Sequence, residues 1–255
     1  MSRNILWQPM LDALDRWAQS GRVADLWLRD DDAVEPTEPL ERLLDLTRSH
    51  AVPLALAVIP AHSGAALAAR LAGEPHVSVL VHGWSHDNHA PPGEKKQELG
   101  PHRPRGLVLD ELAAAHRRLA SPHGRSFVPV LVPPWNRIDP GLLPELSSLG
   151  FAALSVFGQA KPAPLPVVNT HVDLIDWHGH RGARDAAALA RDLATALDCA
   201  YEGRGEPLGF LTHHLVHDEA GRDFLAELFA LTGSHPACRW RAVRDVLAWD
   251  AGPPT

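Results

Sequence analysis

Cysteine is nearly absent. The chain has only Cys199 and Cys238, far apart and without CxxC spacing, which argues against a disulfide framework and for buried free thiols in a reducing compartment. Residues 1–9 show no charged start followed by an apolar core, and no apolar run is long enough to span a bilayer. Neither a signal peptide nor a membrane helix is expected, and the reading is cytoplasmic. Positive charge is not in excess: a formal net charge of −7 argues against nucleic acid or an anionic membrane as a general partner. The GxSxG elbow, the Walker loop and the dinucleotide glycine fingerprint are all missing, which sets aside serine hydrolases, NTPases and Rossmann enzymes. Internal repeats, low-complexity segments and composition breaks are missing too. At 45% hydrophobic and 22% charged, residues 1–255 are expected to form one domain.

What is present is an alternation of short apolar runs with helical patterns. Helices are expected over 8–20, 38–50, 63–71 (capped by Ser63), 110–120, 140–149, 184–200, 221–232 and 239–249. Strands are expected over 23–28, 53–59, 77–81, 127–132, 151–157, 167–175 and 208–212. Trp7, Trp17, Trp240 and Trp249 fall on helical stretches and read as packing residues. The strands are continuously apolar, the pattern of a parallel sheet covered on both faces, here with six to eight βα units. Residues 88–107, rich in proline and glycine, read as a long polar loop with a helical turn at 94–99. Such a loop is either a lid or substrate rim, or a plain mobile insertion.

Polar and ionisable clusters follow the strands: Asp30–Asp31–Asp32, His82/His86, Trp135–Asn136–Arg137, Asp176–Trp177 and His213/His214. In a β/α barrel, loops at the C-terminal ends of the strands build the site. One cluster there is ordinary; five that converge point to an enzyme. Asp32, His82 and His86 supply one carboxylate and two imidazoles, a three-ligand set that leaves a coordination position open, as catalytic zinc sites do. A cation there acidifies water and polarises a carbonyl. On a strand end, residues 31 and 32 point to different sides, so Asp31 is free to act as base, with His213 as acid. Together these make a hydrolase constellation for an amide or ester. Weaker candidates are His89 as a further nitrogen ligand and His171, His178 and His180 as a second metal site. His217–Asp218 pair with each other, orient His213 or lie in a solvated loop. Asp30 becomes the base if the register slips by one.

The ordered motifs over residues 23–215 resemble those of the polysaccharide deacetylases with a NodB-homology domain, the fourth carbohydrate esterase family. Asp31-Asp32-Ala33 resembles that family's first motif, which implies Asp31 as base and Asp32 as ligand. His82-Gly83-Trp84-Ser85-His86 resembles the second, His-Ser/Thr-x-x-His. Val132-Pro133-Pro134-Trp135 resembles the third, implying that the Trp135 N–H helps hold the oxyanion. Asp173-Leu174-Ile175-Asp176-Trp177 resembles the fourth, with Trp177 as a wall of the acetyl pocket. Leu211-Thr212-His213 resembles the fifth and implies His213, not His214, as the acid. Pro134, Trp135, Asn136, Asp176, Trp177 and Leu211 thus become the substrate and oxyanion set. The family fold is a distorted barrel of about seven strands, an incomplete TIM barrel.

Three departures stand out. Val132 replaces the family's arginine, which braces the catalytic aspartate; Arg29 or Arg137 are the candidates to fill that role from elsewhere. Ala33 replaces Gly, and Gly83 replaces Ser/Thr. The expected function is removal of an acyl group, most simply acetyl, from an amide nitrogen of an amino sugar or other small intracellular amide. The alternatives are a non-catalytic carbohydrate-binding or regulatory barrel, or hydrolysis of another C–N bond such as that of a cyclic amide. The expected cofactor is Zn²⁺, with Co²⁺, Ni²⁺, Mn²⁺ and Fe²⁺ also suited to the donor set. The expected partner is a small-molecule or glycan substrate, not nucleic acid or membrane; the oligomeric state is left open.

Overall fold

Apolar runs form the strands, and a change of side-chain chemistry along each strand separates scaffold from site. The structure, a computed structural model, describes residues 3–203 and 205–250. Its strands are β1 (Ala24–Ala33), β2 (Leu54–Val58), β3 (Val77–His82), β4 (Phe127–Val132), β5 (Ala153–Leu154), β6 (Thr170–Asp173), β7 (Leu208–Thr212) and β8 (Cys238–Trp240). Their ladders are all parallel. The order is β5-β4-β3-β2-β1-β7-β6, with β8 beside the start of β1. Between β5 and β6 only single parallel bridges form, Leu154 to Val167 and Phe157 to Thr170. The sheet therefore curls into an incomplete (β/α) barrel of seven principal strands, as expected.

The helices are α1 (Arg3–Gln19), α2 (Glu38–Ser49), α3 (Ala65–Leu71), α4 (Arg105–His123), α5 (Ala186–Glu202), α6 (Glu219–Ser234) and α7 (Val243–Asp250). No helix among the described residues is long and apolar enough to cross a membrane. Side chains alternate across the sheet with period two. Leu26, Leu28, Leu54, Leu56, Val79, Val81 and Phe210 pack outward against the helices. Trp27, Ala55, Ala57, Leu80, Val128, Val130 and Val132 fill the barrel, and Val243 and Val246 of α7 join them from below. Truncating such a buried leucine to alanine costs about 2–5 kcal/mol.

The inward rows turn polar as they approach the C-terminal mouth: Trp27, Arg29, Asp31 on β1 and Ser78, Leu80, His82 on β3. The row after β7 runs Gly209, Leu211, His213. That switch puts the ionisable groups at one end of a packed interior.

Local differences from expectation have physical causes. Residues 238–240 pair with Ala24–Leu26, so tertiary pairing overrides the helix expected over 239–249, and Trp240 lies on a strand with its Nε1 donating to Thr232 Oγ1 at 2.9 Å. Trp7 and Trp17 are buried on α1; the Trp249 side chain lies outside the described residues. Ser63 is no cap: α3 begins after Gly64 without a side-chain cap bond, and Ser63 Oγ donates to Pro60 O. The segment at 140–149 is a 3₁₀ turn (Pro140–Glu145), and only Ala153–Leu154 of 151–157 is strand. No helical turn forms at 94–99. Both cysteines are free, but Cys199 is exposed rather than buried; burial pushes the Cys238 thiol up to about 12.

Candidate metal centre

Two adjacent aspartates on a strand should face opposite ways, and here they do not. The β1–β2 register runs Asp30 to Leu56 and then Ala33 to Val58, so Asp31 and Asp32 together oppose Ala57, a β-bulge. Asp32 takes φ +73°, a left-handed conformation that aspartate tolerates better than most residues. The bulge turns both carboxylates into the barrel mouth, which corrects the expectation of divergent side chains.

Asp32 Oδ1 lies 3.0 Å from His82 Nε2 and 3.3 Å from His86 Nε2. Among the described residues these three are the one cluster that could hold a metal ion, with ligand atoms all within 4.8 Å of one another. His82 Nδ1 donates to the Val132 carbonyl at 2.9 Å, which fixes the ring and leaves Nε2 for the cluster, the outer support that ligating histidines use. Burial pushes the Asp32 carboxyl upward, but the His82 hydrogen bond and the imidazoles of His82, His213 and His86 hold it well below the usual carboxylate range. Burial and the neighbouring His82 lower His86, favouring the neutral imidazole that can ligate. A carboxylate and two oriented imidazoles fit a divalent cation.

Asp31 is braced from its own strand. The Arg29 side chain is fully buried; its Nη2 donates to Asp31 Oδ2 at 3.0 Å and to Asn136 Oδ1 at 2.8 Å, and its Nη1 to Ser155 Oγ at 2.7 Å. Arg29 Nε lies 2.9 Å from Asp31 Oδ1, in ion-pair contact though off the hydrogen-bond line. Arg29 therefore occupies the bracing role that position 132 does not: Val132 packs in the inner core, and Arg137 donates to the Lys96 carbonyl instead. Asn136 serves this guanidinium.

Across the mouth, His213 Nε2 lies 4.0 Å from Asp31 Oδ2. Its ring meets Trp177 edge-on at 4.6 Å between centroids, and Trp177 Nε1 donates to Asp173 Oδ2 at 2.8 Å. Burial pushes the Asp173 carboxyl up, with His213 pulling it partly back. Asp173, rather than Asp176, is thus the carboxylate that holds the Trp177 indole. Asp176 accepts from Gly179 N at 2.9 Å within its own loop. Leu211 is buried between the β1 and β6 ladders. Trp135 and Asn136 both adopt left-handed φ, +55° and +56°, on the turn after β4. The Trp135 ring lies 4.3 Å from that of His86, and Lys96 Nζ stands 5.9 Å over it. Pro134, in the same turn, is buried.

Asp30 points outward, away from the mouth, and pairs with buried His214 at 2.5 Å, so register slip does not occur. His171 Nδ1 accepts from Gly209 N, while His180 faces Asp176 and Asp218 at 3.5 and 3.6 Å; no second metal cluster forms among the described residues. His217 contacts Thr212, and Asp218 caps α6 through Gly221 N, so neither orients His213. The His89 backbone bonds Gln97, and its side chain stays out of the cluster. A cavity of about 520 Å³ between α2 and α6, lined by Leu43, Leu46, His217 and Ala226, holds none of the centre's residues.

No family model matches the chain, and a search of curated proteins finds no match either. Solved structures do match in fold. A Mycobacterium smegmatis protein assigned to the polysaccharide deacetylases aligns at TM-score 0.65 and 15% identity, covering 89% of this chain and 91% of that one. The fold is that of the polysaccharide deacetylases. Peptidoglycan deacetylase PdaC of Bacillus subtilis aligns at TM-score 0.56 and 15% identity over 88% and 90% of the two chains. A family 4 acetyl xylan esterase from Clostridium thermocellum, in complex with a cobalt ion, aligns at 0.54 and 15% over 90% and 93%. A deacetylase-type barrel thus carries these residues at its mouth.

Proposed function

We propose that the chain is a metal-dependent hydrolase that removes an acyl group, most simply acetyl, from an amide nitrogen of an amino sugar or another small amide. One observation carries this reading. Asp32, His82 and His86 form a cation-binding cluster, and Asp31 and His213 stand 4.0 Å apart beside it, at the mouth of a barrel whose relatives in fold include deacetylases and a cobalt-bound esterase. A divalent ion held by the three ligands supplies Lewis acidity, polarising the carbonyl and acidifying water. Zinc suits the donor set best, with cobalt, nickel, manganese and iron as substitutes.

The chain's own residues do the rest. Asp31, its orientation locked by Arg29, takes a proton from the attacking water. The backbone N–H at Trp135, presented by a left-handed turn, meets the oxyanion that forms when the carbonyl is attacked. His213 gives its proton to the leaving nitrogen, so the C–N bond breaks to a free amine and a carboxylic acid. Trp177 walls the acyl side, and Asp173 holds Trp177. Residues 1–255 act as one catalytic domain, a reading supported by the single sheet that includes every strand among the described residues. Free cysteines accord with a reducing, cytoplasmic setting, and the charge of −7 with a substrate other than nucleic acid or membrane. The non-catalytic alternative rested on Val132 standing in place of arginine, and Arg29 removes that ground. The test is acetate release from N-acetylated amino sugars and small amides with zinc or cobalt supplied. Asp31→Asn and His213→Ala should each abolish turnover at least a hundredfold; unchanged rates in either would refute the assigned roles.

A further inference from the structure

Glu98 lies in the loop between β3 and α4, takes no part in the reaction above, and is completely buried. Its Oε1 accepts from the backbone N–H of Ser85 at 2.7 Å, from those of Trp84 and His86 at 3.2 Å, and from Ser85 Oγ at 3.2 Å. Oε2 accepts from Trp84 N at 3.2 Å. Three consecutive N–H groups in the turn that joins His82 to His86 thus converge on one side chain from another loop. That turn is bent at both ends: Gly83 has φ +57° and His86 φ +62°. Buried N–H groups need partners, and backbone in this region persists only where its surroundings hold it.

Position 83 cannot supply the partner. A Cβ there would sit 2.1 Å from Glu98 Oε2 and 2.6 Å from Pro134 Cδ. The glycine and the buried acid are therefore one device, with Glu98 filling the space a side chain at 83 would need. Glu98 is itself secured: its carbonyl accepts from Arg103 Nη2 at 3.3 Å, and Leu99, next in the chain, bridges Ile138.

We propose that Glu98 is a positioning residue of the metal centre, holding the 83–86 turn so that His86 aims at Asp32 and thereby setting affinity for the cation; this rests on the metal reading given above. The experiment compares wild type with Glu98→Gln, which keeps the shape, and Glu98→Ala. Two quantities are read: hydrogen exchange of the Trp84, Ser85 and His86 amides in metal-free protein, and the Zn²⁺ dissociation constant by competition with a chromogenic chelator. In both variants the three amides should exchange at least tenfold faster while β2 amides keep their protection, and Zn²⁺ affinity should fall about 10–100-fold, the usual effect of losing an outer-shell partner. Unchanged exchange at the three amides overturns the proposal. So does faster exchange with zinc affinity held within twofold. A wild type that takes up no zinc overturns the reading of the centre and this inference with it, and that control alone distinguishes the two failures.

Discussion

Replacing Arg29 with methionine keeps the length and apolar stem of the side chain but removes a guanidinium that meets Asp31, Asn136 and Ser155. Both members of the Arg29–Asp31 pair are buried, at 0% and 2% exposure. Truncating one partner strands the other's charge, a situation that costs about 3–5 kcal/mol. Asp31→Asn strands the guanidinium instead and should cost a similar amount. In the double variant no charge is left unpaired, so its loss should fall short of the sum of the two single losses by about 2 kcal/mol or more. Urea unfolding with linear extrapolation, run without metal, measures all three variants. Arg29→Lys should recover only part of the loss, because an ammonium is a point charge without the guanidinium's planar fork. Additivity within ~0.5 kcal/mol would refute the claim that Arg29 acts through Asp31.

Burial lowers His217 from 6.5 to about 4, against the pull of Asp30. Because the folded state disfavours the protonated ring, its contribution is full above the unfolded value and is lost as pH falls from about 6.5 towards 4. The loss amounts to about 3 kcal/mol at 1.36 kcal/mol per unit. His217→Asn should flatten that acid limb in denaturation measured from pH 7 to 4, and an unaltered slope would show the ring to be solvated. His214→Ala should leave Asp30 buried and unpaired on the helix side of β1 and cost about 3–5 kcal/mol. Because that pair ties β1 to the end of β7, the same change should weaken metal binding, measured by chelator competition; a destabilisation under 1 kcal/mol would show the pair to be dispensable.

The barrel was legible because its strands are continuously apolar and because the polar clusters fall where those strands end, a pattern that depends on period and position alone. Asp32, His82, His86, Asp31 and His213 were legible for the same reason. Arg29 was visible only as one of two candidates: choosing it over Arg137 required knowing that residues 29 and 31 share an inward face while 137 turns to the loop. The bulge at Asp31–Asp32 left no trace in the sequence, since it comes from register against β2. Adjacency to Trp177 drew attention to Asp176, and the indole's bond to Asp173 four residues back needed the folded loop to be seen. Glu98 and Ser155 were missed because each works across a long sequence separation. Gly83 was the one available signal for Glu98, a glycine where the resembling motif has a hydroxyl. The strand at 238–240 was hidden beneath a helical pattern that pairing with β1 overrides.

In the proposed mechanism Asp32, His82 and His86 hold a catalytic cation. Metal content of protein purified without added metal, wild type beside His82→Ala/His86→Ala, tests it most directly. About one divalent ion per wild-type chain, the stoichiometry of a three-ligand catalytic site, and none in the double variant are expected. Wild-type protein that stays metal-free even after incubation with zinc would contradict it.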